Sequence, residues 1–134
     1  MNDKICLSIP TKSEYVSVAR LTSSVIANNM GFDIEDIEDI KVAVGEACNN
    51  AVLHTEDYDH TFDLSFSAQS EKLIIEVKDS GKGFSLDKYE EPDLEHPKEH
   101  GLGIFIMKSL MDDLEIESQV GEGTFIRMIK YLNK

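Results

Sequence analysis

A helix with one apolar side dominates the middle of this sequence. Its apolar residues recur at the three- and four-residue spacing of an α-helix, which indicates a buried stripe formed by Ile37, Ile40, Val44, Ala47 and Ala51. Glu46 and Asn50 are four positions apart, so their side chains lie about one turn from each other on a single face. The helix must therefore pack against another layer along one side while it presents a carboxylate and a carboxamide on another.

This pair of side chains suits phosphoryl transfer. A carboxylate can accept the proton of an incoming hydroxyl, and an amide oxygen can bind a magnesium ion that retains waters and phosphate oxygens. Glu and Asn are also common on solvated helix faces, so the pair alone leaves that simpler interpretation open.

The charge balance narrows the partners of the chain. Its 134 residues include 26 acidic and 13 basic side chains, which give a net charge of −13. This charge argues against nucleic acid or an anionic membrane as a partner, and a polyphosphate ligand would have to bring a divalent cation. Because no apolar run approaches membrane-spanning length and no signal peptide is recognisable, we expect a cytoplasmic protein.

Length and apolar content indicate one globular domain over residues 1–134. The hydrophobic content of 41% is sufficient for a core without disulfides or a structural metal. Cys6 and Cys48 lie in predicted core elements, and we expect both to be buried as small apolar side chains.

The remaining elements follow from alternation and capping signals. Ser13 is the predicted N-cap of a first helix that ends at Gly31, and Asp33 is the predicted N-cap of the helix described above. A third helix is predicted to open at Gly101-Leu102-Gly103. The predicted strands are Ile5–Ile9, Phe62–Phe66, Leu73–Val77, Leu114–Ser118 and Thr124–Tyr131. We expect an α+β two-layer sandwich, with helices on one face of a mixed, mainly antiparallel sheet.

Glycine-rich segments occur at a strand exit, at a helix start and in a hairpin. In Asp79-Ser80-Gly81-Lys82-Gly83, the carboxylate can accept a hydrogen bond from the exocyclic amine of adenine, and the glycines allow backbone to approach a flat ring. Gly101-Leu102-Gly103 can present free N–H groups to phosphate, and Thr124 can support the adenine edge. Ordinary turns would explain each segment taken alone. Residues 85–100 have no sustained apolar period and are predicted to be a functional lid, or otherwise a disordered surface loop.

The order of these segments resembles the GHKL ATP-binding fold, which histidine kinases and gyrase-type ATPases share. The resemblance spans almost the whole chain. Within that superfamily, the segment from Glu46 to His54 is similar to the helix of the bacterial serine-protein-kinase anti-sigma factors. The general-stress branch of that family is also similar around Glu14–Thr22, Gly101–Ile104, Met107–Asp112 and Lys130–Asn133.

The resemblance implies a role for each matching residue. Glu46 would be the general base and Asn50 the magnesium ligand, and Arg20 would lie on the partner-binding face, with a salt bridge to an acid as the alternative. His54 matches the end of the family's helix motif, where packing is its expected role. Two departures concern the phosphate loop, which has Glu99-His100 before its glycines and lacks a convincing basic residue.

The same resemblance assigns the nucleotide contacts. Asp79 would bind adenine, with Gly81 and Gly83 beside it and Thr124 as the hydroxyl near the base. Gly101-Leu102-Gly103 would form the phosphate loop.

The implied function is an ATP- and Mg²⁺-dependent serine protein kinase that is also an anti-sigma factor. As a homodimer it would hold a sigma factor of the sigma-B type inactive and phosphorylate a STAS-domain anti-anti-sigma antagonist on serine. Two alternatives stay open. One is a nucleotide-dependent binding module without catalysis, and the other is the catalytic domain of a histidine kinase, which we expect less because the sequence opens on a strand and a helix.

Overall fold

A computed structural model describes residues 2–53, 60–80 and 99–132 of the chain, with side chains in the last segment from residue 102 onward. In chain order the elements are β1 (Asp3–Pro10), a 3-10 turn (Ser13–Tyr15), α1 (Val16–Met30), α2 (Ile34–Leu53), β2 (Thr61–Ala68), β3 (Lys72–Asp79), α3 (Glu99–Leu110), β4 (Asp113–Gln119) and β5 (Gly123–Tyr131). None of the described helices is long and apolar enough to cross a membrane.

The strands form one sheet in the order β1-β2-β3-β5-β4. The α+β architecture is confirmed, although every pairing among the described strands is antiparallel and the expected mixed sheet is not seen. The reason is the connections. The chain leaves β1 at one end of the sheet, runs through the two consecutive helices α1 and α2, and enters β2 at the same end, so the two strands are antiparallel. A parallel pair would need a connection that crosses to the opposite end of the sheet.

The core lies between the sheet and the helices. The stripe predicted for α2 is confirmed, since Ile40, Val44, Ala47 and Ala51 are buried and Ile37 is partly buried against them. The largest fully buried side chains of the sheet belong to Phe62, Leu64, Phe66, Leu73, Ile75, Val77, Ile126 and Met128. This single apolar layer fixes α2 against the sheet and leaves its other faces to α1 and α3.

The helix boundaries follow the predicted caps except at two places. Asp33 accepts a hydrogen bond from the backbone N–H of Asp36 at 2.8 Å, and Gly31 ends α1 with a φ of 98°, as predicted. The prediction that Ser13 is an N-cap is wrong, because the chain first forms a 3-10 turn in which no side chain caps the helix. The third helix begins at Glu99, before its predicted start.

The two cysteines differ in their surroundings. Cys48 is buried in α2, and burial raises the pKa of its thiol to about 12. The expectation for Cys6 is wrong, because this residue is exposed. It lies opposite Ser65 on the face of the sheet away from the core, and β1 is an edge strand.

The buried Lys130 of β5 contacts the C-terminal end of α3 and the N-terminal end of α2. Lys130 of β5 donates a hydrogen bond to the carbonyl oxygen of Leu110 at the end of α3, at 2.5 Å. Its Nζ also lies 3.7 Å from Asp36 Oδ1 and 3.9 Å from Asp39 Oδ2, in the first turns of α2. The cation therefore stabilises a helix C-terminus, where free carbonyl groups favour positive charge.

Candidate functional site

Three of the predicted catalytic and nucleotide-binding residues line one cavity. Glu46 and Asn50 of α2 face it from one side, and Gly103 of α3 faces it from the other. The cavity has a volume of about 380 Å³, and its lining is completed by Ser13, Asn49, Val52, Leu53, Ile104 and Met107. Apolar packing of α3 through Ile104 and Met107 positions the helix beside α2, so the polar groups converge at the edge of the core.

Glu46 and Gly103 are in close approach. A Cβ atom placed on Gly103 would lie 3.3 Å from Glu46 Oε2. This separation is tighter than ordinary van der Waals contact, so a side chain at position 103 would press on the carboxylate. Glycine at this position therefore leaves room for the Glu46 carboxylate beside the first turns of α3.

Asn50 has a polar atom that no described residue satisfies. Its amide Nδ2 is buried and has no hydrogen-bond partner in the described part of the chain. A buried amide group without a partner is costly, and a half-turn about its last torsion would present the amide oxygen at the same place. An amide oxygen suits Mg²⁺, which prefers oxygen ligands and usually keeps waters and substrate phosphates as well.

The donor set around Asn50 fits a magnesium ion that arrives with a nucleotide. Among the described residues there is no group of three or more His, Cys, Asp or Glu side chains that could hold a metal ion by itself. A protein that supplies one amide oxygen, with Glu46 nearby, leaves the remaining positions to phosphate and water oxygens. The residues present therefore suit a shared magnesium site better than a resident one.

Asp79 and Thr124 come together at a second place. They are directly opposite each other in the β3–β5 pairing, and both are buried. They line a cavity of about 430 Å³ between the end of β3 and the β4–β5 hairpin. The two cavities are separate among the described residues, so the Asp79 group and the Glu46 group are not brought into one pocket.

Ser118 is a polar residue of this second cavity that the sequence analysis missed. Its hydroxyl lies 2.8 Å from the Thr124 hydroxyl, and the two residues are partners across the β4–β5 hairpin. The signal that could have identified it is the hairpin itself, because a turn at residues 120–122 places Ser118 opposite Thr124. Ser118 thus holds the Thr124 side chain in place.

Gly123 allows the backbone of the hairpin to approach β3. Its φ is 83°, a conformation that side chains rarely adopt. A Cβ atom there would overlap the carbonyl oxygen of Asp79 and lie 3.0 Å from the Cα atom of Ser80. This glycine therefore sets the spacing between the two strand ends that carry Asp79 and Thr124.

Arg20 lies on the surface formed by α1 and α2. Its aliphatic stem crosses Gly45, where an added Cβ atom would be 3.1 Å from Arg20 Cδ. Within the part of the chain that the structure describes, no salt bridge pairs Arg20 with an acid. Together with Leu21, Lys41 and other residues it lines a shallow pocket of about 360 Å³.

Several predicted positions lie outside the described residues. Gly81, Gly83 and His54 are among them, and so is almost all of the predicted lid, residues 85–100. Gly101 belongs to α3 by its backbone, and Leu102 is half-buried in the same helix. The roles predicted for these residues stay predictions.

Known proteins with the same fold identify the family of the chain. Residues 9–130 match the family of histidine kinase-like ATPase domains, and the chain belongs to that family. Among solved structures, a Mycobacterium tuberculosis protein with RsbU and RsbW domains is similar with a TM-score of 0.69 at 16% identity, over 97% of this chain and 32% of that one. The chain thus spans about a third of that protein, and at this identity the likeness shows the fold alone. The histidine kinase domain of a blue-light-activated kinase from Erythrobacter litoralis gives a TM-score of 0.58 at 24% identity, over 92% of this chain and 62% of that one.

Sequence relatives narrow the family further. The serine-protein kinase RsbW of Halalkalibacterium halodurans is 39% identical over 98% of this chain and 85% of the relative. The RsbW of Oceanobacillus iheyensis is 41% identical over 97% of this chain and 87% of the relative. The chain is therefore a member of the RsbW family of bacterial serine-protein-kinase anti-sigma factors, which confirms the resemblance seen in the sequence.

Proposed function

We propose that this protein transfers the γ-phosphoryl group of ATP to a serine of a STAS-domain anti-anti-sigma protein, and that it holds a sigma factor of the sigma-B type inactive when that serine is unavailable. The observation that supports this best is the cavity in which Glu46 and Asn50 meet Gly103 at the first turns of α3. It combines a proton acceptor and an amide for a cation, and it lies beside the N-terminal half of α3, the helix whose start carries the predicted phosphate loop.

In this proposal Glu46 is the general base. Its carboxylate accepts the proton of the serine hydroxyl as that oxygen attacks the γ-phosphorus. The absence of a side chain at Gly103 leaves room for this carboxylate beside α3, on the side of the cavity where Asn50 also lies.

Asn50 would hold magnesium through its amide oxygen. When bound, the ion supplies charge neutralisation of the phosphate oxygens, which a chain of net charge −13 needs. The buried position of Nδ2, which has no described partner, supports this assignment, because a half-turn of the amide places the ligating oxygen there.

Asp79 and Thr124 would recognise adenine. A buried carboxylate can accept a hydrogen bond from the exocyclic amine, and guanine offers an acceptor at that ring position instead. The hydroxyl pair of Ser118 and Thr124 fixes the edge of this site. We therefore expect ATP to be preferred over GTP.

The surface of α1 would bind the protein partners. Val18, Leu21 and Val25 are 44%, 62% and 59% exposed and recur at helical spacing, so they form an apolar strip that no described element covers. Arg20 lies beside this strip and supplies a positive charge in an acidic protein. Both the sigma factor and the antagonist would use this face in turn.

A homodimer is part of the proposal. Edge strand β1 leaves one side of its backbone without a strand partner among the described elements, and Ile5 on it is 42% exposed. Exposed edges with apolar side chains are templates for pairing with another chain. Sedimentation of the wild type and of Ile5→Asp tests this, since a dimer formed through β1 should dissociate in the variant.

The decisive experiment uses purified protein, Mg-ATP and the candidate STAS-domain antagonist. Acid-stable phosphate on one antagonist serine, absent with Glu46→Gln although that variant still binds the antagonist, is the expected result. If the wild type forms no phosphoserine on the antagonist, and Glu46→Gln equals it in holding and releasing the sigma factor, the chain is a nucleotide-dependent binding module instead. Acid-labile phosphate on histidine would identify a histidine kinase domain.

A further inference from the structure

A serine of the chain itself lies in the cavity that contains the proposed base. Ser13 lines this cavity together with Glu46 and Asn50. It is exposed, and it begins the 3-10 turn between β1 and α1. The sequence predicted a capping role for this hydroxyl, but the structure gives it none.

The hydroxyl of Ser13 differs from those of the helical serines. In α1 and α3 the serine hydroxyls donate to a backbone carbonyl three or four residues earlier, which occupies them: Ser17, Ser23, Ser24 and Ser109. No described residue forms a hydrogen bond with the Ser13 hydroxyl. It is therefore available to a ligand in the cavity.

The backbone around Ser13 is held in place. Thr11 is buried, and both its N–H and its hydroxyl donate to the carbonyl oxygen of His60 at 3.0 Å. The Lys12 carbonyl accepts a hydrogen bond from the N–H of Tyr15 at 3.0 Å, and the Ser13 carbonyl accepts one from Val16. A positioned nucleophile loses little freedom on reaction, which is a main source of rate in phosphoryl transfer.

We propose that Ser13 is an intramolecular phosphate acceptor of this kinase. The Ser13 Oγ attacks the γ-phosphorus of ATP, the bond from that phosphorus to the β–γ bridging oxygen breaks, and ADP leaves with its electron pair. The hydroxyl proton passes to the Glu46 carboxylate and from there to water. The inference rests on the proposed function for its ATP site and its base, and it adds a substrate within the chain.

Phosphorylation of Ser13 would limit the kinase. A phosphoserine adds a charge of about −1.5 to −2 at neutral pH. Because Ser13 shares the cavity with Glu46, this charge opposes both the approach of ATP and the approach of a partner serine. The modified chain should therefore phosphorylate its partner more slowly than the unmodified chain.

The test uses the full chain alone with Mg-ATP, followed by intact mass measurement and phosphosite mapping. We expect one phosphoryl group at Ser13 in the wild type and its loss in Ser13→Ala and in Glu46→Gln. Ser17→Ala is the matched control, because its hydroxyl lies one turn further on and is bonded to the Glu14 carbonyl, and it should retain the label. In a mixture of the two variants, Glu46→Gln retains the acceptor serine and Ser13→Ala retains the base. Because acceptor and base are then on different chains, an intramolecular transfer should leave both variants unlabelled.

The outcomes separate this inference from the proposed function. Wild-type protein that binds Mg-ATP in calorimetry and phosphorylates the antagonist, but stays unmodified itself, overturns the inference alone. Protein that neither binds Mg-ATP nor is modified overturns both. Label on a residue other than Ser13, or on Glu46→Gln in the mixture, refutes the intramolecular transfer.

Discussion

Replacing Gly123 with alanine tests how the hairpin approaches the end of β3. The residue has a φ of 83°, and an added Cβ atom would overlap the Asp79 carbonyl oxygen. Gly121, two positions earlier, has nearly the same φ of 84°, but a Cβ atom added there would meet nothing within 4 Å. The two glycines therefore have nearly the same φ and differ in the steric contact.

The expected loss of stability follows from these two contributions. Placing a side chain in the left-handed region costs about 1–2 kcal/mol, and the reduced freedom of the unfolded chain offsets about 0.4–1 kcal/mol of this. Gly121→Ala should therefore lower the free energy of unfolding by at most about 1.6 kcal/mol. Gly123→Ala adds overpacking against backbone, about 1–3 kcal/mol, for a total of about 1–5 kcal/mol.

Urea unfolding of the wild type and the two variants measures both values. Under the proposed function, calorimetry should also show weaker nucleotide binding for Gly123→Ala than for Gly121→Ala, because only the former displaces Asp79 from Thr124. Equal destabilisation by the two substitutions would refute the argument, since the contact with Asp79 would then have no measurable effect.

Three further perturbations test other parts of the molecule. Glu46→Gln should slow phosphoserine formation by about 10²–10⁴-fold while calorimetry shows retained Mg-ATP binding; an unchanged rate would exclude Glu46 as the base. Lys130→Met should lower the free energy of unfolding by about 1–3 kcal/mol, because the Leu110 carbonyl loses its buried donor; an unchanged urea midpoint would contradict this. Burial raises the pKa of Cys48 from 9.0 to about 12, so the folded state keeps a proton that the unfolded state loses. This contribution to stability is fully present below pH 9.0 and is lost as the pH rises towards 12. Between these pH values the free energy of unfolding of the wild type should fall by about 1.4 kcal/mol per pH unit because of Cys48, and Cys48→Ala should lack this contribution. Urea unfolding at several pH values measures this dependence, and the same dependence on pH in both proteins would refute it.

The features that could be predicted from the sequence are local ones. The stripe of α2 follows from spacing alone, and the caps at Gly31 and Asp33 depend on residues within one turn of the helix end. Strand β2 is predictable because it alternates apolar and polar residues, and β3 because Leu73, Ile75 and Val77 recur at every second position between turn signals. These patterns identify elements without knowledge of what the elements contact.

The features that were missed depend on contacts between elements. Cys6 lies in an alternating strand, but alternation cannot say which face the helices cover. Ser13 has the residue type of an N-cap, yet its place beside Glu46 depends on how β1 and α1 approach α2. Ser118 acquires its role only through the register of the β4–β5 hairpin.

Helix α2 connects the proposed chemistry with the proposed partner surface. Gly45 and Glu46 are adjacent in sequence, and successive helix positions point in directions about 100° apart. Gly45 therefore lies against Arg20 of α1, and Glu46 lies against Gly103 of α3. A Cβ atom would lie 3.1 Å from Arg20 Cδ at position 45 and 3.3 Å from Glu46 Oε2 at position 103, so each of these side chains would have to shift slightly to admit it. A single turn of α2 thus contacts both the surface of α1 and the N-terminal half of α3, and a side chain added at position 45 or 103 would displace Arg20 or Glu46 respectively.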